Sequence, residues 1–66
     1  MKVHFDPETD AMYVIFADAP VAETEEVRPG IMFDLDAQGR VVAIEVLNAS
    51  RNLASTDLKS LALQVA

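Results

Sequence analysis

The chain has 66 residues, no cysteine, five basic and eleven acidic side chains. A chain of this length is expected to form one domain over residues 1–66, because a second core would lack side chains to fill it. Disulfide bonds are excluded, so a core this small needs a metal or a partner for additional stability. The net charge of −6 argues against a nucleic-acid-binding surface, which requires clustered Lys and Arg.

The apolar content indicates a folded domain. Hydrophobic residues make up 52% of the chain, whereas a disordered acidic segment would contain few aliphatic side chains. The longest apolar run, residues 11–17, is too short to span a membrane, and no targeting segment is visible. We therefore expect a cytoplasmic protein with no membrane partner.

The N-terminal third predicts an antiparallel hairpin. Residues 2–5 alternate polar and apolar side chains, as in a short strand. Pro7 fixes φ within the acidic stretch that follows, and Asp6 can accept a hydrogen bond within a turn there. Residues 11–17 are rich in β-branched and aromatic side chains and predict the second strand.

The middle of the chain predicts three further strands. Residues 21–27 carry several glutamates, which would discourage edge-to-edge pairing of an exposed strand. Residues 31–36 alternate apolar and polar side chains, and residues 41–47 form another apolar strand after a loop. Gly39 supplies the left-handed backbone conformation that such a hairpin loop needs.

The C-terminal segment predicts a loop over residues 48–54 and a helix over residues 55–65. Ser55 or Thr56 can cap the helix, and Asp57 favours its first turn. An apolar stripe recurs at helical spacing, and a helix this short must dock on the sheet to persist. The stripe comprises Leu58, Leu61, Ala62 and Val65.

The predicted fold class is α+β: a four- to five-stranded antiparallel meander with one C-terminal helix packed on one face. The alternation assigns most apolar side chains to the face beneath the helix. The predicted inward set is Val3, Phe5, Met12, Val14, Phe16, Ile31, Phe33, Leu35, Val42, Ile44, Val46, Leu58 and Leu61.

The opposite face is unusually apolar for a solvated sheet, and we expect it to form a homodimer interface. Scattered surface apolar residues, which are common in monomers, are the simpler interpretation. The candidate interface residues are Tyr13, Ile15, Met32, Val41 and Ala43.

Four blocks of the sequence resemble a family of small bacterial and archaeal proteins, domain-of-unknown-function family 2283. They are residues 6–14 (DPETDAMYV), 25–31 (EEVRPGI), 34–36 (DLD) and 39–50 (GRVVAIEVLNAS). His4 and Ala43 depart from the Tyr and Gly frequent in that family. The resemblance implies a small β-sheet domain with a helix and no assigned reaction, and members beside toxin-like genes suggest an antitoxin-like role.

Catalytic and metal-binding signatures are weak. Asp6, Glu8 and Asp10 alternate like the start of a calcium loop, but the later glycine and bidentate glutamate of that loop are missing. The sequence favours a capped turn with solvated acids over metal binding here. His4 could act as a base beside Asp10, yet no nucleophile motif accompanies it. We expect no enzyme activity and no cofactor.

Two functional hypotheses follow from the sequence. The first is a non-enzymatic, self-associating interaction module in which Tyr13 anchors the homomeric contact and an acidic segment docks a basic protein. That segment carries Glu23, Glu25 and Glu26. The alternative is a small-ligand or divalent-metal site between subunits, built from Asp6, Glu8, Asp10 or His4.

Overall fold

The computed structural model describes residues 1–54 and 58–59 of the chain. Five strands form one antiparallel sheet in the spatial order β1-β2-β5-β4-β3, and a short helix follows the last strand. The predicted fold class is confirmed. The elements are β1 (Lys2–Asp6), β2 (Ala11–Ile15), β3 (Glu23–Arg28), β4 (Ile31–Leu35), β5 (Val41–Val46) and α1 (Ala49–Asn52).

The strand order departs from a simple meander. Strand β3 pairs with β4 at the far edge of the sheet, and β5 takes the place beside β2. The composition of the strands explains this exchange. All six residues of β3 are exposed and three are glutamates, which suits an edge strand. The more apolar β5 lies at the centre, where both of its edges are hydrogen-bonded.

One side of the sheet, which we call the inner face, carries the hydrophobic core. The register pairs Val3 with Val14 and aligns Met12 with Val46, so apolar side chains from neighbouring strands meet. The predicted alternation is therefore confirmed for these strands. The core cluster consists of Val3, Met12, Val46, Ala49 and Leu58, with Phe5, Val14, Ile31, Ile44 and Leu53 packed against it.

Phe16 is an error in the predicted inward set, because 46% of its surface is exposed. Strand β2 ends one residue earlier, at Ile15. The amides of Phe16 and Ala17 then both donate to the Val42 carbonyl, at 2.8 and 3.3 Å. Two consecutive residues oppose one, so the alternation of side chains stops at this point.

The helix α1 occupies part of the segment predicted to be a loop. A distant residue holds its first turn, because the Asp10 carbonyl accepts the Ala49 amide at 2.8 Å. The Asp10 carboxylate also accepts the Ser50 amide at 3.1 Å and the Ser50 hydroxyl at 2.6 Å. These groups lie 40 residues apart, so local sequence patterns do not reveal this stabilisation of the helix.

Most of the helix predicted over residues 55–65 lies outside the described residues, including Ser55, Thr56, Leu61, Ala62 and Val65. Leu58 and Lys59 are described and are helical, and Leu58 is buried in the core cluster as predicted. Within the described ranges, no helix combines the length and apolar character needed to cross a bilayer.

Candidate functional site

The second side of the sheet, the outer face, brings polar side chains together at its centre. The register aligns Ile15, Ala43, Asp34 and Thr24 in one row across β2, β5, β4 and β3. Tyr13 and Glu45 lie opposite each other in the adjacent row. Because cross-strand partners share a face, the topology gathers these polar groups from separate parts of the chain.

Asp34 is the centre of this arrangement and is only 3% exposed. The Tyr13 hydroxyl donates to Asp34 Oδ2 at 2.9 Å, and the Thr24 hydroxyl donates to Oδ1 at 2.6 Å. The Glu45 carboxyl also lies within hydrogen-bonding reach of Asp34. We call Tyr13, Thr24, Asp34 and Glu45 the outer-face network.

The pKa values of the two carboxyl groups in the network shift in opposite directions. Burial by itself would raise the pKa of Asp34, but hydrogen bonds from Thr24, Glu45 and Tyr13 outweigh burial and lower that pKa. The pKa of Glu45 is raised by its hydrogen bond to Asp34, then by burial and by the negative charge of Asp34. The shifts have opposite directions, so Glu45 binds a proton more readily than an ordinary glutamate and Asp34 less readily than an ordinary aspartate.

The Tyr13 hydroxyl also donates a hydrogen bond to Asp34. The hydrogen bond to Asp34 raises the pKa of the phenol, with smaller contributions from burial and from the charges of Asp34 and Glu45. The sequence interpretation made Tyr13 the anchor of a contact between two copies of the chain. In the structure the Tyr13 hydroxyl points into the network, and the ring forms the boundary between two clefts.

Two clefts flank Tyr13. The first has a volume of about 380 Å³, and its lining combines apolar Phe16 and Val21 with the charged Lys2 and Asp18. The second has a volume of about 330 Å³, and its lining combines His4 and Glu45 with apolar Met12 and Leu47. Each cleft therefore places polar and apolar side chains together beside one aromatic ring.

Ala43 must be removed from the predicted interface, because its exposed fraction is 0% in the single chain. It lies in the same row as Asp34, between Asp34 and Ile15, so the side chains of larger neighbours cover it. Tyr13, Ile15 and Met32 are half-buried and Val41 is exposed. These four residues retain surface that a partner could contact.

The residues predicted as candidate metal ligands do not converge on one point in the structure. The Asp6 carboxylate accepts the Glu8 amide at 3.0 Å within the β1–β2 turn, while Asp10 binds Ser50. His4 lies opposite Tyr13 rather than beside Asp10, and it lines the second cleft. Over residues 1–54 and 58–59, no three His, Asp or Glu side chains are grouped to hold a metal ion.

The glutamates proposed to dock a basic partner divide between the two faces. Glu23 and Glu25 lie opposite Leu35 and Phe33, on the inner-face side of β3. Glu26 lies opposite Met32 on the outer-face side, and its carboxylate accepts the Gly30 amide at 3.4 Å. The three side chains share one sheet edge and do not form a single patch.

Sequence reasoning missed the spatial connection between Asp34, Thr24 and Glu45. One signal was present, because Asp34 is a carboxylate within the otherwise apolar strand residues 31–35. A charged residue in a half-buried strand requires hydrogen-bonding partners. The identity of those partners depended on the position of β5, which the predicted meander did not give.

Comparison with known protein families identifies the family of this chain. A family model described as "Protein of unknown function (DUF2283)" matches residues 2–50, about three quarters of the chain. Neither the curated proteins nor the solved structures contain a significant match. The matched region contains all five strands and the complete outer-face network.

Proposed function

The chain belongs to the DUF2283 family of proteins of unknown function, and from that premise we propose that it is a cytoplasmic, non-enzymatic interaction module. We further propose that two copies associate through the outer face. The main support for this proposal is the outer-face network, whose buried polar groups form hydrogen bonds with one another within the chain. In a single chain Asp34 is already 3% exposed, although no helix is described on that side of the sheet.

The chemistry of the network supports a face that can be covered. Solvated faces of antiparallel sheets are normally polar and hydrated. Here Thr24 and Tyr13 donate to Asp34, and no buried side-chain N or O of the described residues lacks a hydrogen-bond partner. A second copy could therefore cover this centre without leaving an unsatisfied buried polar group.

Exposed apolar residues beside the network supply the driving force for association of two copies. Phe16 and Val21 line the first cleft at one end of the sheet and are 46% and 47% exposed. Val41, which is 39% exposed, directly precedes Val42 of the same cleft. Burying apolar surface stabilises an association by about 25 cal/mol per Å² before the entropic cost of binding. A two-fold axis would bring this patch of each copy against the outer face of the other.

Val21 and Val27 offer a matched test of this surface. They have similar exposed fractions, 47% and 41%, but Val27 lies at the opposite end of the sheet, beside the β3–β4 turn. In sedimentation velocity over a micromolar to millimolar series, we expect a dimer whose Kd rises about tenfold or more in Val21→Ser. Val27→Ser should leave the Kd unchanged. A monomer throughout the series would refute the proposal.

We also propose that the exposed edge at β3 docks a basic protein, with an antitoxin-like role as the most specific version. All six residues of β3 are exposed, and Glu23 and Glu25 project from the same side of the strand. Glu23→Lys with Glu25→Lys should abolish co-purification of that partner from the native cell. Glu8→Lys, an equal charge change per site at an exposed turn, should retain it.

The alternative function is a ligand or divalent-metal site that a second copy completes. The second cleft favours this alternative, since His4 and Asp6 line the same space. A metal that binds the folded state raises the melting temperature by mass action. Thermal unfolding with Zn²⁺, Mn²⁺ or Ca²⁺ and then with chelator tests it: a reversible rise that His4→Ala removes supports the metal site, and no rise rejects it.

A further inference from the structure

We propose that strand β1 is a self-complementary edge, through which a second copy of the chain extends the sheet. The two β1 strands pair antiparallel about a two-fold axis that passes between the two His4 residues. This contact lies at the edge of the sheet. It goes beyond the proposed association through the outer face and does not depend on it.

Strand β1 has one edge open to another strand. It is the terminal strand in the order β1-β2-β5-β4-β3, and within the described residues it pairs only with β2. The outward edge of a terminal strand presents backbone N–H and C=O groups, which form a template for pairing with another chain. Pro7 follows β1 and has no N–H to donate, so the added ladder ends at Asp6.

The side chains along β1 are complementary to themselves in antiparallel order. Lys2, His4 and Asp6 are exposed, and they alternate with Val3 and Phe5 on the side of the core. When His4 lies opposite His4 of the second copy, Lys2 lies opposite Asp6 at both ends of the ladder. Val3 then lies opposite Phe5. Opposite charges and apolar pairs that face each other across a ladder stabilise the pairing.

The two charges of β1 are available for a second copy. Lys2 and Asp6 lie four residues apart on one strand, a separation of about 13 Å, so they cannot form an ion pair within one copy. In the part of the chain that the structure describes, the one ion pair joins Arg40 to Asp36. Edge pairing therefore gives Lys2 and Asp6 partners that the single chain does not provide.

The charges also select this register over its neighbours. A shift of one residue brings Lys2 opposite Phe5 and places a charge on the apolar side of the combined sheet. A shift of two residues shortens the ladder and removes both pairs of Lys2 with Asp6. The arrangement centred on His4 therefore retains every favourable pair.

The opposite edge of the sheet does not offer the same contact. All six residues of β3 are exposed and three of them are glutamates, so self-pairing of β3 would bring like charges together. Pairing of β1 with β3 of another copy is a head-to-tail contact, which generates a ring or an open chain and not a closed dimer.

Edge pairing leaves the outer face accessible. Cross-strand partners share a face, so the outer faces of the two copies lie on the same side of the extended sheet. The two-fold axis is perpendicular to that sheet. A dimer formed through β1 can therefore still associate through its outer face.

The test reverses each charge of β1 and then mixes the products. Lys2→Asp alone and Asp6→Lys alone each place like charges opposite each other at both ends of the ladder. Each variant should therefore dimerise about tenfold more weakly, or less, than the unaltered β1. In an equimolar mixture the two variants restore opposite charges at both ends, so a heterodimer should form with the original affinity.

Sedimentation velocity with one variant fluorescently labelled measures these affinities. All proteins carry Val21→Ser, which weakens the proposed outer-face contact and leaves β1 unchanged. Recovery of dimer in the mixture supports the edge pairing. A mixture that remains monomeric, or assemblies that grow without limit as the concentration rises, would overturn it.

A cysteine cross-link decides the matter if Asp6→Lys does not fold, since Asp6 Oδ1 also accepts the Glu8 amide at 3.0 Å. The chain has no Cys, so His4→Cys introduces a single thiol. Directly opposed residues have Cα atoms about 4.5–5.5 Å apart, within the range that a disulfide spans. In the Val21→Ser background, mild oxidation should link His4→Cys into dimers much faster than Thr9→Cys, an exposed turn position. Equal rates would contradict the proposed register.

Discussion

Thr24 and Asp34 lie directly opposite each other in the pairing of β3 with β4, and the Thr24 hydroxyl donates to Asp34 Oδ1 at 2.6 Å. This contact joins a fully exposed edge strand to the buried centre of the outer face. A one-residue slip would bring Glu23 or Glu25 opposite Asp34, and like charges directly opposite each other are destabilising. The Thr24–Asp34 pair therefore favours the observed register.

Replacing Thr24 by Val removes the donor while preserving the shape of the side chain. We expect Thr24→Val to lower the free energy of unfolding by about 1–2 kcal/mol, since the acceptor is a charged group and the bond is partly exposed. Urea denaturation measures the change. Thr9→Val, in the exposed β1–β2 turn, is the control, and equal effects of the two substitutions would contradict the role of the hydrogen bond.

The phenol of Tyr13 reports on Asp34 directly. The hydrogen bond from Tyr13 to Asp34 is the largest cause of the raised phenol pKa, so Asp34→Asn should return that pKa towards 10.0. The chain has one Tyr and no Trp, so tyrosinate absorbance follows this single group. Glu25→Gln removes an equal charge elsewhere and should leave the Tyr13 titration unchanged. A Tyr13 titration unaffected by Asp34→Asn would count against the network.

The opposite pKa shifts of Asp34 and Glu45 predict loss of stability on both sides of a mildly acidic optimum. Asp34 has a pKa below 3.8, so its contribution is present above that value and is lost as the pH falls through its folded-state pKa. Glu45 has a pKa above 4.5, so its contribution is present below that value and is lost as the pH rises through its folded-state pKa.

Glu45→Gln isolates the second of these two effects. The amide cannot ionise, so the variant should lack the loss of stability above pH 4.5 and keep the acid-side loss from Asp34. Chemical denaturation of both proteins at a series of pH values measures the difference. Parallel pH profiles of the wild type and the variant would show that Glu45 does not contribute to the pH dependence.

Two glycines with nearly equal φ angles differ in their surroundings. Gly30 and Gly39 have φ of 82° and 79°, so an alanine at either position costs about 1–2 kcal/mol of backbone strain. A Cβ at Gly30 would lie 3.2 Å from Asn52 Nδ2, which donates to the Leu47 carbonyl at 2.7 Å, whereas a Cβ at Gly39 meets open space.

We therefore expect Gly30→Ala to be more destabilising than Gly39→Ala, by about 1 kcal/mol or more, because the Asn52 amide is held in place and must move. Thermal unfolding of the two variants ranks them. The opposite ranking would mean that the turn before β4 relaxes around the added methyl group.

The strands were predictable because their signals are local. Alternation in residues 31–36 and the apolar run from residue 11 correspond to β4 and β2, and Gly39 has the positive φ expected of the hairpin loop. The position of β5 beside β2 was not predictable in this way. It depends on which strand gains the most stabilisation from a central place in the sheet. That can be judged only by comparing whole strands.

The candidate site was less predictable than the fold for the same reason. Tyr13 was predicted to anchor a contact with a second copy of the chain, whereas its hydroxyl donates to Asp34 of the same chain. Thr24 and Asp34 are ten residues apart, and Tyr13 and Asp34 are 21 apart. Such contacts become visible only when the order and register of the strands are known.

The strand order also divides the molecule into two locally paired pieces. Strands β1 and β2 form one hairpin, and β3, β4 and β5 pair in sequence. Among the described residues, only the β2–β5 ladder therefore joins strands distant in the chain. The contacts of Asp10 with Ser50 span the same junction. A break within residues 17–22 would cut no strand. The two fragments should then reassociate along this ladder, which makes the protein a natural candidate for split-reporter complementation.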